Sequence, residues 1–292
     1  MAMSLRKTLL TIGILLSQGM SACTPQRPAV QGPAEQTSQT FPRVTIPASE
    51  VRRLESSATG RSYDLYVRLP EEYRGDQRTK YPILYVLDGQ WDFKLLDSIY
   101  GGLHYDKFIP AMIIVGITYS GEAPDYGALR ALDYTPVRDP FFPGSGEGAK
   151  FLAFFQEELI PFVESEYPAD ASQRVLMGSS FGGTFTLYAM FAEPGLFHGY
   201  VAGSPIVTFG DRDVFKQEAA YAAAHPELPA RLFLSVGELE QVAGPVEEFM
   251  QVLGERDYTG LEMETRIIEG ERHAGNKPEA YNRGLRFIFQ DE

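Results

Sequence analysis

One serine in the chain stands in a setting suited to nucleophilic attack. Ser180 occupies the centre of Gly178-Ser179-Ser180-Phe181-Gly182-Gly183, a G-x-S-x-G pattern that follows the apolar run Val175-Leu176-Met177 and precedes helix-forming residues 184–191. A strand, a sharp turn and a helix in that order present a hydroxyl clear of the backbone, and glycines two residues before and after it keep β-carbons out of the crowded turn. The hydroxyl would then sit at a helix N-terminus, where unpaired N–H groups and the helix dipole favour developing negative charge. Ser179, the neighbouring hydroxyl, lacks that glycine spacing.

A serine is nearly un-ionised at neutral pH and needs a base within hydrogen-bond reach. Imidazole, titrating near 6.5, is the matching group. Of the four histidines, His273 fits best: it lies in Gly270-Glu271-Arg272-His273-Ala274-Gly275, a loop between an alternating strand at 263–269 and the last predicted helix. That completes the chain order serine, acid, histidine. His104, His198 and His225 read as packing or surface residues. The acid belongs after the strand at 232–236, where Gly237-Glu238-Leu239-Glu240 offers two carboxylates. Glu240, three beyond the glycine, is favoured to turn back toward the imidazole; Glu238, or a backbone carbonyl in its place, stays open. Acyl transfer also needs N–H donors for the tetrahedral oxyanion, and the candidates are Phe181, next to the serine, and Gln90, in the loop after the strand at 83–87. Trp91 beside it is a candidate pocket wall.

The elements that must hold these groups are legible in the apolar pattern. Residues 61–69 alternate as a half-buried strand does and suit an antiparallel opening hairpin, whereas 83–87, 112–117, 175–177 and 232–236 are near-continuous apolar runs of a sheet covered on both faces. Helical periodicity is predicted over 151–163, after Ser180, over 245–253 and over 278–289. The alternation predicts a single doubly wound, mostly parallel α/β sheet with helices on both faces and functional loops at the strands' carboxyl ends. Residues 120–148 and 205–230 fit no simple connection and are candidates for a lid or pocket wall.

Composition bounds the partners. The chain has 292 residues, 44% hydrophobic and 22% charged, with a formal charge of −13; such a balance argues against nucleic acid. A single cysteine and four histidines leave no thiolate-rich metal site. Residues 1–22 carry Arg6 and Lys7, no acid, and then a short apolar run, the order of a signal peptide too short to span a bilayer. Met20-Ser21-Ala22-Cys23 resembles a bacterial lipoprotein box with Cys23 as the lipidated residue. Residues 23–45 read as a flexible linker and 46–292 as the folded domain, so the protein is expected to be exported, tethered in the periplasm or at the outer membrane, and secreted if Cys23 is unmodified. Membrane contact would be through that anchor alone.

Several segments together resemble the putative-esterase (esterase D) family of α/β-hydrolases, especially its branch related to siderophore trilactone esterases. They are Tyr81-Pro82-Ile83-Leu84-Tyr85-Val86-Leu87-Asp88-Gly89, Arg130-Ala131-Leu132-Asp133-Tyr134-Thr135-Pro136, the Ser180 motif, Val236-Gly237-Glu238-Leu239-Glu240, Glu271-Arg272-His273, and Gly284-Leu285-Arg286-Phe287-Ile288-Phe289. The resemblance implies an α/β-hydrolase that cleaves a small-molecule carboxylic ester without metal or cofactor, with Ser180 as nucleophile, His273 as base and Gln90 and Phe181 as oxyanion donors; with Glu240 as the favoured acid these would form a triad. Siderophore lactones and phenolic or short acyl esters are the substrate classes it suggests. Arg130, with Tyr134 in the same segment and Trp91, would then bind an anionic or phenolic substrate; an ion pair of Arg130 with Asp133 or another loop acid is the alternative. An acyltransferase using the same residues and a ligand-binding lipoprotein without turnover are the competing functions.

Overall fold

The computed structural model describes residues 44–75 and 78–290. The signal-peptide segment, Cys23 and the linker as far as residue 43 lie outside the described residues. The compact unit begins at Thr45. Its described residues contain eight strands: β1 (Ser49–Glu55), β2 (Ser62–Arg68), β3 (Tyr81–Val86), β4 (Ile113–Tyr119), β5 (Ala169–Ser179), β6 (Gly199–Gly203), β7 (Glu227–Gly237) and β8 (Thr259–Ile268). They form one sheet in the order β1-β2-β4-β3-β5-β6-β7-β8. β1 and β2 make the expected antiparallel hairpin, β2 also runs antiparallel to β4, and every pairing from β4 to β8 is parallel.

Among the described residues, eight α-helices cover that sheet: α1 (Gly89–Tyr105), α2 (Tyr126–Asp133), α3 (Gly148–Phe154), α4 (Ile160–Glu166), α5 (Phe181–Ala192), α6 (Phe209–Ala224), α7 (Ala243–Arg256) and α8 (Lys277–Ile288). The continuous apolar runs are explained by burial on both sides. In β3, Ile83, Tyr85 and Leu87 of the strand and its exit face one core with Phe151, Phe185 and Val246, while Leu84 and Val86 face a second core with Phe93, Leu96 and Leu285. Burying a side chain of that size contributes about 1.5–3 kcal/mol, which a polar substitution on either face of this strand would forfeit. The helix predicted over 151–163 is a continuous helical stretch from α3 to α4 with a π-helical segment, Phe155–Leu159, between them. Pro161 has no N–H to return to the preceding turn, which accounts for the shifted register just upstream.

The two unassigned stretches acquire definite structure. Residues 205–230 hold α6, whose first turn is broken by left-handed conformers at Gly210, Asp211 and Arg212. Residues 120–148 hold α2 and a loop that brings Phe142 against Phe181 and Phe209, with ring centroids 5.4 and 5.7 Å away. Both segments therefore lie next to the turn that carries Ser180.

Candidate active site

Ser180 lies between the end of β5 and the start of α5 with φ 62° and ψ −125°. Such a conformation strains a residue with a β-carbon by about 1–3 kcal/mol and must be imposed by its surroundings. The Ser180 N–H donates to Gly203 O at 2.9 Å, and Thr184 N–H returns to Ser180 O at 2.9 Å. The crowding that demands glycine falls on a different pair from the one the motif suggests. A β-carbon at Gly178 would come within 2.5 Å of the Gly182 carbonyl group, and one at Gly183 within 2.7 Å of Gly203 O, whereas one at Gly182 would meet Leu87 at an ordinary 3.4 Å. The main chain at Gly182 thus excludes a side chain at Gly178, and Gly183 is the other glycine the packing requires, held against β6.

His273 and Glu240 are delivered by the loops after β8 and β7. The imidazole Nδ1 lies 2.6 Å from Glu240 Oε2. The imidazole is half exposed, and the carboxylate side chain retains only 3% exposure. Its second oxygen, Oε1, accepts from Ser204 Oγ at 2.6 Å, Gly237 N–H at 2.8 Å and Asn276 Nδ2 at 2.8 Å. A buried carboxylate with this many donors is fixed in orientation. Glu238 points elsewhere: its Oε2 accepts from Gly270 N–H at 2.8 Å, supporting the loop that leads to His273.

Ser204 and Asn276 are site residues that the sequence reading missed. Both are fully buried. The Asn276 amide nitrogen lies within 3.0–3.1 Å of Ser204 Oγ, Arg272 O and His273 O as well as 2.8 Å from Glu240. It therefore ties the histidine loop to the acid. The available signals were an asparagine three residues after His273 and a serine directly after the glycine that ends β6.

Ser180, Glu240 and His273 line one cleft of about 460 Å³, together with Ile206, Leu239 and Arg272. Ser179 is buried and has no access to it. The other histidines are engaged elsewhere. His104, in the last turn of α1, stacks on Tyr100 and lies 2.7 Å from Glu72, and His225 packs on Tyr221. Burial lowers the His198 pKa.

The two candidate oxyanion donors lie in the first turns of two helices, ahead of the hydrogen-bond ladder that starts with Trp91 and Asp92 N–H in α1 and with Thr184 N–H in α5. The two N-termini adjoin, since Gly182 lies against Leu87 and Asp88. Asp88 itself is 1% exposed with a left-handed φ of 59°.

The candidate substrate contacts Arg130 and Tyr134 both meet Asp88. Both oxygens of Asp88 accept from Arg130, Oδ1 from Nε at 2.6 Å and Oδ2 from Nη2 at 2.8 Å. Arg130 thus makes the alternative ion pair, with Asp88 and not with Asp133, which pairs with Arg61. Burial pushes the Asp88 carboxyl above its usual pKa, and the Arg130 guanidinium pulls it back down. Tyr134 is 1% exposed, and its hydroxyl accepts from Asp88 N–H at 3.3 Å. It has no surface for a ligand because its ring fills the core between Phe151 and Phe185. Trp91 remains 45% exposed, with the Arg130 guanidinium 5.2 Å from its ring.

The sequence pattern that defines the family described as Putative esterase matches residues 56–276. The ferri-bacillibactin esterase BesA of Bacillus subtilis (strain 168) is 29% identical over 280 residues, spanning 88% of this chain and 93% of that protein. A siderophore triacetylfusarinine C esterase of Aspergillus fumigatus is 29% identical over 207 residues, 68% of this chain and 70% of that one. Among solved structures, the BES protein from Bacillus cereus superposes with a TM-score of 0.76 at 27% identity, covering 87% of this chain and 99% of that one. The shared architecture is the α/β-hydrolase fold.

Proposed function

This chain belongs to the Putative esterase family, and from that premise we propose that it hydrolyses siderophore esters through an acyl-enzyme formed on Ser180. The observation that carries the reading is the pairing of His273 Nδ1 with a fixed Glu240 carboxylate at 2.6 Å, in a cleft that Ser180 also lines. With Nδ1–H donated to Glu240, the opposite ring nitrogen, Nε2, is left as the acceptor for the serine proton. Ser180 Oγ attacks the ester carbonyl as its proton passes to His273. The tetrahedral oxyanion takes hydrogen bonds from Phe181 N–H and Gln90 N–H. Collapse expels the alcohol, which receives the proton from His273, and a water activated by the same imidazole then releases the acid.

The test compares the wild-type chain with Ser180→Ala on a catecholate trilactone, a triacetylated fusarinine and 4-nitrophenyl acetate. Loss of about 10⁴-fold or more in kcat is expected in the variant, together with loss of labelling by a fluorophosphonate. Turnover that persists without Ser180 rejects the reading. Export with lipidation at Cys23 is the accompanying proposal, supported by the order of residues 1–23. It predicts incorporation of labelled palmitate in a bacterial host and its loss in Cys23→Ser.

A further inference from the structure

The cleft beside Ser180 combines apolar walls with one uncommitted positive charge. Ile206, Leu239 and Val242 supply apolar surface, and Leu239 is left 51% exposed. Arg272, immediately before His273, lines the same cleft. Among the described residues no carboxylate pairs with its guanidinium, in a molecule where most arginines carry an ion pair. The acids around it are turned away: Glu240 holds His273, Glu238 supports Gly270, and the Glu271 carboxylate lies over Gly275. The main chain of Arg272 is anchored, because its carbonyl accepts from Asn276 N–H and Nδ2, both at 3.1 Å. A cation held at a fixed root and left without a partner is free to meet a ligand's anion.

We propose that Arg272 is the specificity-determining residue of this cleft and binds the anionic group of an amphipathic ester whose apolar body lies against Ile206, Leu239 and Val242. The inference rests on the esterase reading and assigns its substrate class: esters carrying a carboxylate or an ionised phenol. A guanidinium is permanently charged, forks to meet two oxygens, and stacks on flat apolar groups, which suits it to aromatic acids in particular. The other candidate for this task, Arg130, already has its charge paired by Asp88 and is not among the residues lining the Ser180 cleft. The overall charge of −13 repels anions at long range, so selection for them requires a cation at contact distance, where screening by salt is weakest.

A matched pair of substrates tests it: 4-acetoxybenzoate, which is anionic, and methyl 4-acetoxybenzoate, which is neutral, with acetate release as the readout for the full chain. Differences in intrinsic reactivity cancel when the ratio of kcat/KM for the two esters is compared between proteins. That ratio is expected to fall about tenfold in Arg272→Gln, the size of one charge-assisted hydrogen bond. It falls further in Arg272→Glu and recovers in part in Arg272→Lys. An unchanged ratio across the three variants overturns the role of Arg272 while leaving the esterase reading intact. If the wild-type chain turns over the catecholate trilactone but releases acetate from neither ester, this inference fails and the esterase reading stands; if it turns over none of the three, both fail.

Discussion

His273 and Glu240, thirty-three residues apart and on separate loops, meet at 2.6 Å with the glutamate buried and the histidine half exposed. The carboxylate fixes the tautomer and the plane of a ring that otherwise has water on one side. Glu240→Gln preserves size but presents an amide to Nδ1, and kcat is expected to fall by about 10⁴-fold. Stopped-assay kinetics on 4-nitrophenyl acetate, with circular dichroism to establish folding, check it. A loss below tenfold would assign Glu240 a purely structural part.

Asn276 acts through Glu240 and the histidine loop and never touches the cleft, since it is fully buried. Asn276→Ala is expected to lower kcat by about 10²-fold through misplacement of the imidazole, with KM changed by less than about threefold. Asn276→Asp, which sets an acceptor against an acceptor, should do worse. In the Glu240→Gln background the further loss should nearly vanish, because residues acting as a unit are not additive; an undiminished second loss would mean that Asn276 merely supports the fold.

The turn at Ser180 predicts opposite effects at two adjacent glycines. Gly183→Ala would press a methyl group to 2.7 Å from Gly203 O and destabilise the chain by about 1–3 kcal/mol. Gly182→Ala meets only ordinary contacts, and as a helix position it is neutral or gains up to about 1 kcal/mol. Urea unfolding of the two variants decides between this assignment and the simple motif, which would have Gly182 as the sensitive site.

Arg130→Ala leaves the Asp88 carboxylate buried without its partner and is expected to cost about 3–5 kcal/mol. Burial already raises the Asp88 pKa against the pull of Arg130, and removing the cation raises it further. A carboxyl whose folded pKa lies above its unfolded value favours the folded state only while protonated, and that contribution is lost as pH rises through the folded pKa. The gap in thermal midpoint between wild type and variant should therefore widen from pH 4 to pH 7. A constant gap would show that Asp88 does not carry the charge.

Much of the molecule was legible in its residues because the governing effects are local or periodic. Continuous apolar runs require a sheet buried on both faces, and every such run became a strand with at least one parallel neighbour, β4 being also antiparallel to β2. Glycine spacing around Ser180 requires a tight strand-to-helix turn, and β5 and α5 flank one. The order of Ser180, Glu240 and His273 followed from which strands end in loops. The choice of Glu240 over Glu238 could only be argued by offset from Gly237, since two side chains on one turning loop differ in direction and not in kind.

What only the tertiary structure decided concerns groups whose partners are distant in sequence. The ion-pair partner of Arg130 is Asp88, forty-two residues earlier, where the sequence offered Asp133 or another loop acid, and Tyr134 is enclosed by the packing of the core. Asn276 and Ser204 are marked in the sequence only by their offsets from His273 and from the glycine that ends β6; they matter because β6, β7 and the loop after β8 converge on one carboxylate. Arg272 is the reverse case, a charge left over after its neighbours turned elsewhere. Backbone periodicity is written along the chain, whereas the pairing of buried charges depends on which loops the sheet order brings together.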